Sequence, residues 1–234
     1  MSRDEKPRQA ATVILLREAN PGGFEVFLTR RPDAMAFLGG MYCFPGGAVT
    51  KDDCSPRMLD RCRGLTLERA RKIIGAHFSP RQAAGFWVAA VRELFEETGI
   101  LLASRRSGAL VLPGAAYENQ HAPQNGTRSL VHLLRHEDLY CDLSSLGYFS
   151  HWQTPAQNPM RFDTRFFVAV LPENQSPLKT SEEVSHSIWL SPEQAMLRCS
   201  RGELPMIFPT FASLRTLADF QTARSVVKEF GGAP

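Results

Sequence analysis

Arg92-Glu93-Leu94-Phe95-Glu96-Glu97-Thr98-Gly99 sets three carboxylates, an arginine and a glycine within eight residues. On a helix, counted from Val88, Arg92 falls at about 40°, Glu96 at about 80°, Glu93 at about 140° and Glu97 at about 180°. Val91 and Phe95 fall on the other side, at about 300° and 340°. One side is then a carboxylate cluster and the other is apolar. Like charges three and four residues apart repel, so the cluster needs a counter-charge. Arg92 supplies one, and a bound divalent cation would supply the rest, because hard cations such as Mg²⁺ take oxygen ligands and bridge carboxylates to substrate phosphates. A solvated acidic face is the other reading of such an octet taken alone. Gly99 stands where helices commonly end in a left-handed residue.

A Phe44-Pro45-Gly46-Gly47 turn lies upstream. Together, turn and octet resemble the Nudix box: Gly, five residues, Glu, seven residues, then Arg-Glu-hydrophobic-x-Glu-Glu-x-Gly-hydrophobic. Arg92, Glu93, Leu94, Glu96, Glu97, Gly99 and Ile100 match the second half, and Gly47 matches the opening glycine. Gly47 to Arg92 is 45 positions where the pattern has 14, so about 31 residues are inserted, over about 48–79. Counting eight back from Arg92, the position of the first glutamate of the pattern is Ala84. The resemblance implies a hydrolase of pyrophosphate bonds that depends on Mg²⁺ or Mn²⁺. It implies Glu96 and Glu97 as principal ligands, Glu93 as ligand or water-activating base, and the Gly46 carbonyl as a further ligand. Arg92 would orient the carboxylates. Glu182 and Glu183 are candidates for the late-loop glutamate that many members use, and His186 is a nearby alternative base.

The substrate signal precedes the box. Leu28, Thr29, Arg31, Gly40 and Phe44 to Gly47 fall in register with a pattern of coenzyme A-cleaving members, with Pro32 and Ala36 in place of its serine and second arginine. Arg161-Phe162-Asp163-Thr164-Arg165-Phe166-Phe167 and the long insertion resemble the branch that includes the peroxisomal coenzyme A diphosphatases. Arg31, Arg161 and Arg165 are candidate phosphate contacts, since guanidinium meets phosphate bidentately. Residues 50–81 hold eight Lys and Arg against four Asp and Glu. A basic flap over an anionic substrate, a solvated excursion and a homodimer contact are the readings left open. The expected substrate is a small nucleotide-linked diphosphate: coenzyme A or an acyl derivative, with ADP-ribose, NADH or dinucleoside polyphosphates as rivals. A non-catalytic nucleotide-binding module of the same fold is the reading from another class.

These residues need elements to hold them. Ala11–Arg17 and Phe24–Arg30 read as a hairpin across Asn20-Pro21-Gly22-Gly23, and Met41–Val49 as a third strand. A helix is expected over Thr66–Ile74, and the helix bearing the octet over Pro80–Thr98, with Ser79 as N-cap and an apolar line of Ala84, Val88, Val91 and Phe95. Further on, the pattern predicts a helix over Thr127–Arg135, strands over Ser145–Trp152, Arg161–Leu171 and Glu183–Leu190, a helix from Ser191, and a helical tail within 205–234. Periodicity alone gives mixed α/β; the resemblance implies one Nudix domain, an α/β/α sandwich with a mixed sheet.

Composition agrees. Hydrophobic content of 43% and charged content of 22% are ordinary globular values. Net charge of +3 suits an anionic substrate. No run approaches a membrane-spanning length, no signal-peptide core follows the first charges, and no dense basic and aromatic stretch marks a nucleic-acid path. Five cysteines without a Cys-x-x-Cys pair are expected to be reduced thiols of a cytoplasmic protein.

Overall fold

Residues 11–16 (Ala-Thr-Val-Ile-Leu-Leu) carry one polar side chain, as a strand covered on both faces does. In the computed structural model, which describes residues 6–35, 37–107, 130–177 and 184–231, they form the middle of β1 (Arg8–Glu18). β1 pairs antiparallel with β2 (Phe24–Arg30). The strand expected over 41–49 divides at Pro45, whose ring nitrogen has no hydrogen to donate. Its halves are β3 (Tyr42–Cys43) on β2 and β4 (Gly46–Ala48) on β1. Farther along the chain, β8 (Gly147–Gln153), β9 (Phe162–Val170) and β10 (His186–Leu190) complete a mixed sheet in the order β10-β2-β1-β9-β8, with β1 and β9 parallel.

The inserted stretch contains more than the one expected helix. A 3₁₀ turn (Asp52–Cys54) leads into α1 (Pro56–Leu59), β5 (Cys62–Arg63) and α2 (Leu67–Ile74). α3 (Pro80–Thr98) follows, opened by a capping box between Ser79 and Gln82 and closed by Gly99 at φ 75°. Its end is tied by Gly99 N–H donating to the Phe95 carbonyl at 2.8 Å. β6 (Ala103–Arg105), α4 (Leu130–His136) and β7 (Leu139–Asp142) come next, and β5, β7 and β6 form a second small sheet. The expected helix over 127–135 is met by α4, its first three residues lying outside the described residues. The expected strand over 183–190 is met by β10, with Glu183 likewise outside. After β10 come α5 (Pro192–Ser200), α6 (Phe208–Leu217) and α7 (Ala223–Glu229). The helical tail is thus two helices within the described residues. Thr222 starts the second by capping Ser225, so the chain restarts a helix where periodicity alone would run on.

Alternation along the strands separates two apolar layers. Val13, Leu15, Phe27, Phe167 and Ala169 pack with α2, α3 and α4. Ile14, Leu16, Val26, Leu28, Phe166 and Val168 pack with α5, α6 and α7. Helices lie on both faces of a mixed sheet, which is the expected α/β/α sandwich.

The apolar line expected on α3 is buried at Ala84, Val88 and Val91, and the two-sided pattern expected of the octet describes the last turns of the helix. Every residue from Ala83 to Val91 is buried, because the inserted segment covers the side that the sheet does not. Leu94 is fully buried while Phe95 is only partly so. Gly85 marks the closest approach: a Cβ there would run into the Cys54 sulfur. Trp87 lies at the centre of the layer, 4.8 Å from the Phe167 ring and 2% exposed, with its indole N–H donating to the Leu146 carbonyl at 3.4 Å. Trp87→Ala should lower unfolding free energy by about 3–5 kcal/mol, read from urea denaturation; a loss below about 1 kcal/mol would contradict the packing described.

Candidate active site

The Pro-Gly-Gly turn is glycine-rich because of crowding. Neither Gly46 nor Gly47 has a positive φ. A Cβ on Gly46 would stand 2.5 Å from the Ala11 carbonyl oxygen and 2.6 Å from Thr12 Oγ1, where β4 lies on β1. A Cβ on Gly47 would stand 2.6 Å from each carboxylate atom of Glu93. Gly47 thus opens the space that lets α3 set Glu93 directly on β4.

Arg92 gathers the acidic residues. Its Nη1 donates to Glu93 Oε1 at 2.7 Å and to Glu96 Oε2 at 2.8 Å, and its Nη2 donates to the Ala48 carbonyl at 2.9 Å. Its Nε and Nη2 also grip Asp53, at 2.8 and 3.0 Å. Asp53 is 2% exposed, and its Oδ2 accepts from the Thr50 amide at 2.8 Å and the Thr50 hydroxyl at 2.9 Å. Burial alone would lower the Arg92 pKa, but the Asp53 hydrogen bonds and the charges of Asp53, Glu93 and Glu96 hold it above its ordinary value.

Asp53 is the residue that sequence reasoning missed. Counting back from Arg92 gave Ala84, which the structure places in the core at 1% exposure, away from any role in this network. Counting forward from Gly47, five residues lead to Asp53, an acid where the pattern has its first glutamate. The insertion therefore begins after Asp53 rather than at 48, and it divides the seven-residue spacer of the pattern. The signal was present in the forward count.

Glu97 is 7% exposed and close to Cys43 on β3. Burial, helped by the Glu97 charge, pushes the Cys43 thiol up to about 11, while the Arg31 charge and hydrogen bonds from Thr29 and Arg31 act the other way. Arg31, Cys43 and Glu97 thus share one neighbourhood, and Arg31 Nε also donates to the Phe37 carbonyl at 3.2 Å. Arg165 is placed differently. It is 3% exposed, lies over the Phe86 and Phe78 rings at 5.3 and 5.9 Å, and pairs with Asp163 at 2.6 Å. His151 shares the same carboxylate; burial would raise the Asp163 pKa, but the Arg165 and His151 contacts hold it low. As placed, the Arg165 guanidinium has no solvent face to offer a phosphate. Arg161 sits at the start of β9, where its carbonyl accepts from the Arg8 amide at 2.9 Å. Glu182 and Glu183 lie outside the described residues. His186 meets the Tyr42 hydroxyl at 3.2 Å.

Among the described residues, no three His, Cys, Asp or Glu side chains converge as a metal site. Glu93 and Glu96 direct oxygens to Arg92 instead. The donor chemistry nevertheless fits a hard cation: three carboxylates, spaced three and four residues apart on one helix end, beside a crowded main-chain turn. Several basic residues of the insertion have structural partners. Arg61 pairs with Asp138, Arg63 with Ser104 and the Arg105 carbonyl, and Arg71 with the carbonyls of Ala76 and Phe78. A cleft of about 390 Å³ between the β1–β2 turn and the start of α5, lined by Phe24, Glu193 and Phe220 among others, contains none of the site residues. No helix among the described residues is long and apolar enough to cross a membrane.

The family model described as the NUDT19 Nudix domain matches residues 7–217. The chain is 27% identical over 268 residues to acyl-coenzyme A diphosphatase NUDT19 of Gallus gallus, covering 94% of this chain and 70% of that protein. It is 28% identical over 239 residues to the Homo sapiens protein of the same name, covering 88% and 64%. The chain thus spans about two thirds of the length of these curated relatives. The crystal structure of a NUDIX hydrolase from Alicyclobacillus acidocaldarius aligns with a TM-score of 0.78 at 27% identity, over 98% of this chain and 99% of that one. With the split box closed in space by Arg92 and Asp53, and the family match running over most of its length, the chain belongs to the NUDT19 Nudix domain family of the Nudix hydrolase superfamily.

Proposed function

We propose that this Nudix pyrophosphohydrolase cleaves the pyrophosphate of coenzyme A or an acyl derivative, using Mg²⁺ or Mn²⁺. The observation that carries the reading is the shared neighbourhood of Arg31, Cys43 and Glu97. The arginine of the coenzyme A-type run and the buried acid of the box both act on the Cys43 thiol. The curated relatives are named acyl-coenzyme A diphosphatases, which supports the same substrate class.

In this reading Glu96 and Glu97 hold the cation, with Glu93 as a further ligand or the base and the Gly46 carbonyl completing the set. When bound, the cation neutralises phosphate oxygens and lowers the pKa of a water. The residues of the chain do the rest. Arg92 offsets the repulsion among the acids and sets their direction, and Asp53 sets the direction of Arg92. Arg31 takes a phosphate through two parallel N–H donors. Arg161 is a second candidate contact. Arg165, over the Phe78 and Phe86 rings, pairs with Asp163 on β9. Glu182 and Glu183 remain candidates for a late-loop base. The partner is a small molecule, with no nucleic acid or membrane, and the setting is cytoplasmic.

The substrate test is turnover of coenzyme A, ADP-ribose, NADH and diadenosine tetraphosphate with Mg²⁺ or Mn²⁺. Coenzyme A or acetyl-coenzyme A should give the highest kcat/KM; preference for another compound would overturn the substrate assignment, and no turnover of any would favour a binding module. Glu97→Gln should cut kcat by roughly 10²-fold, the loss expected when about 3 kcal/mol of electrostatic stabilisation goes. Equal turnover by that variant would sink the assignment of the acids. Arg31→Ala should raise KM for coenzyme A by roughly 10-fold, as loss of a charge-assisted contact does, while Mn²⁺ affinity stays the same. An unchanged KM removes Arg31 from the substrate site.

A further inference from the structure

The smaller sheet brings two thiols side by side. Cys62, on β5 within the inserted segment, is the direct partner of Cys141 on β7 in a parallel register. Neighbouring strands run about 4.8 Å apart, inside the Cα separation of about 4.4–6.8 Å that a disulfide spans. In-register partners of a parallel pair point to the same face, which sets the Cys62 and Cys141 side chains next to each other. Both are free thiols; Cys62 is half-buried and Cys141 fully buried. The Cys62 sulfur also reaches the Met58 carbonyl at 3.4 Å.

Their surroundings connect them to the active site. The Cys141 thiol is raised by its contact with Cys62, by burial, and by the charges of Asp142 and Asp53. The Asp53 carboxylate that anchors Arg92 is among the charges that act on Cys141. β5 begins nine positions after Asp53 and precedes α2, which covers α3.

We propose that Cys62 and Cys141 form an oxidisable site, which a hydroperoxide converts to a disulfide that fastens the inserted segment to β7. The more accessible Cys62 sulfur takes an oxygen from the hydroperoxide and becomes a sulfenic acid, releasing water from hydrogen peroxide or an alcohol from an organic hydroperoxide. The Cys141 sulfur then attacks the Cys62 sulfur. The S–S bond forms, the S–O bond breaks, and the hydroxyl leaves with the Cys141 proton as water. The two thiols give up two electrons and the peroxide O–O bond receives them.

The test treats the full chain with hydrogen peroxide, caps remaining thiols with iodoacetamide, and maps cysteines by mass spectrometry of digests. The expected product lacks two hydrogens, carries a cross-linked peptide pair containing Cys62 and Cys141, and reverts with dithiothreitol. Its thermal midpoint lies above that of the reduced chain, because a cross-link of this kind restricts the unfolded chain. Cys62→Ser should lose both the cross-link and the thermal shift, while Cys199→Ser keeps both. Oxygen addition to single cysteines without a cross-link overturns the proposal. So does a bond through Cys43 or Cys54, or no reaction under conditions that oxidise free cysteine.

Discussion

The ion pair between Arg92 and Asp53 holds the two ends of the site together. One partner lies on α3 and the other at the end of the Gly47 turn, with the whole inserted segment between them in the chain. Both are well covered, at 15% and 3% side-chain exposure. Removing one partner of a buried pair leaves an uncompensated charge and costs about 3–5 kcal/mol. Here that charge also directs the remaining guanidinium donors. With Nε and Nη2 on Asp53, Nη1 is turned towards Glu93 and Glu96, two carboxylates that would otherwise repel.

The inserted segment is consequently part of the site's support. α2 supplies Ala70 and Ile74 to the layer around α3, and Cys54 approaches so closely that only glycine fits at position 85. A helix buried on every side from Ala83 to Val91 cannot tilt without breaking packing on both the sheet and the insertion. Its carboxylate-bearing last turns thereby gain a fixed base, which suits a reaction that depends on positioned charge. On β9, Arg165, Asp163 and His151 form a charged group of their own, with the Arg165 guanidinium over the Phe78 and Phe86 rings.

Much of this was legible in the chain. Ser79-Pro80 and Gly99 bounded α3 because caps are local chemistry, written in adjacent residues. The β-branched and aromatic runs of 11–17 and 24–30, with Asn20-Pro21-Gly22-Gly23 between them, marked the first hairpin. The strand division at Pro45 had a visible cause. Other features depend on partners distant in sequence and left no local mark. β5 is two residues long and exists because β7 lies beside it. The burial of Ala83 to Val91 on both sides follows from a cover supplied by residues 52–74. Asp53 was readable, but only to a count that started from Gly47. That Arg31 and Glu97 both act on Cys43 required the fold, since 66 positions separate them.

A double-mutant cycle on Asp53 and Arg92, read as Mn²⁺ affinity by calorimetry, tests this account most directly. Asp53→Asn alone should weaken Mn²⁺ binding by roughly 10- to 100-fold, as loss of a group that orients metal ligands does. Arg92→Gln alone should weaken it to a similar degree. The double variant should be no weaker than the worse single one, a coupling of roughly 1–3 kcal/mol. Losses that simply add, or an Asp53→Asn enzyme that binds Mn²⁺ as the parent does, would contradict the claim that Asp53 directs the carboxylates through Arg92.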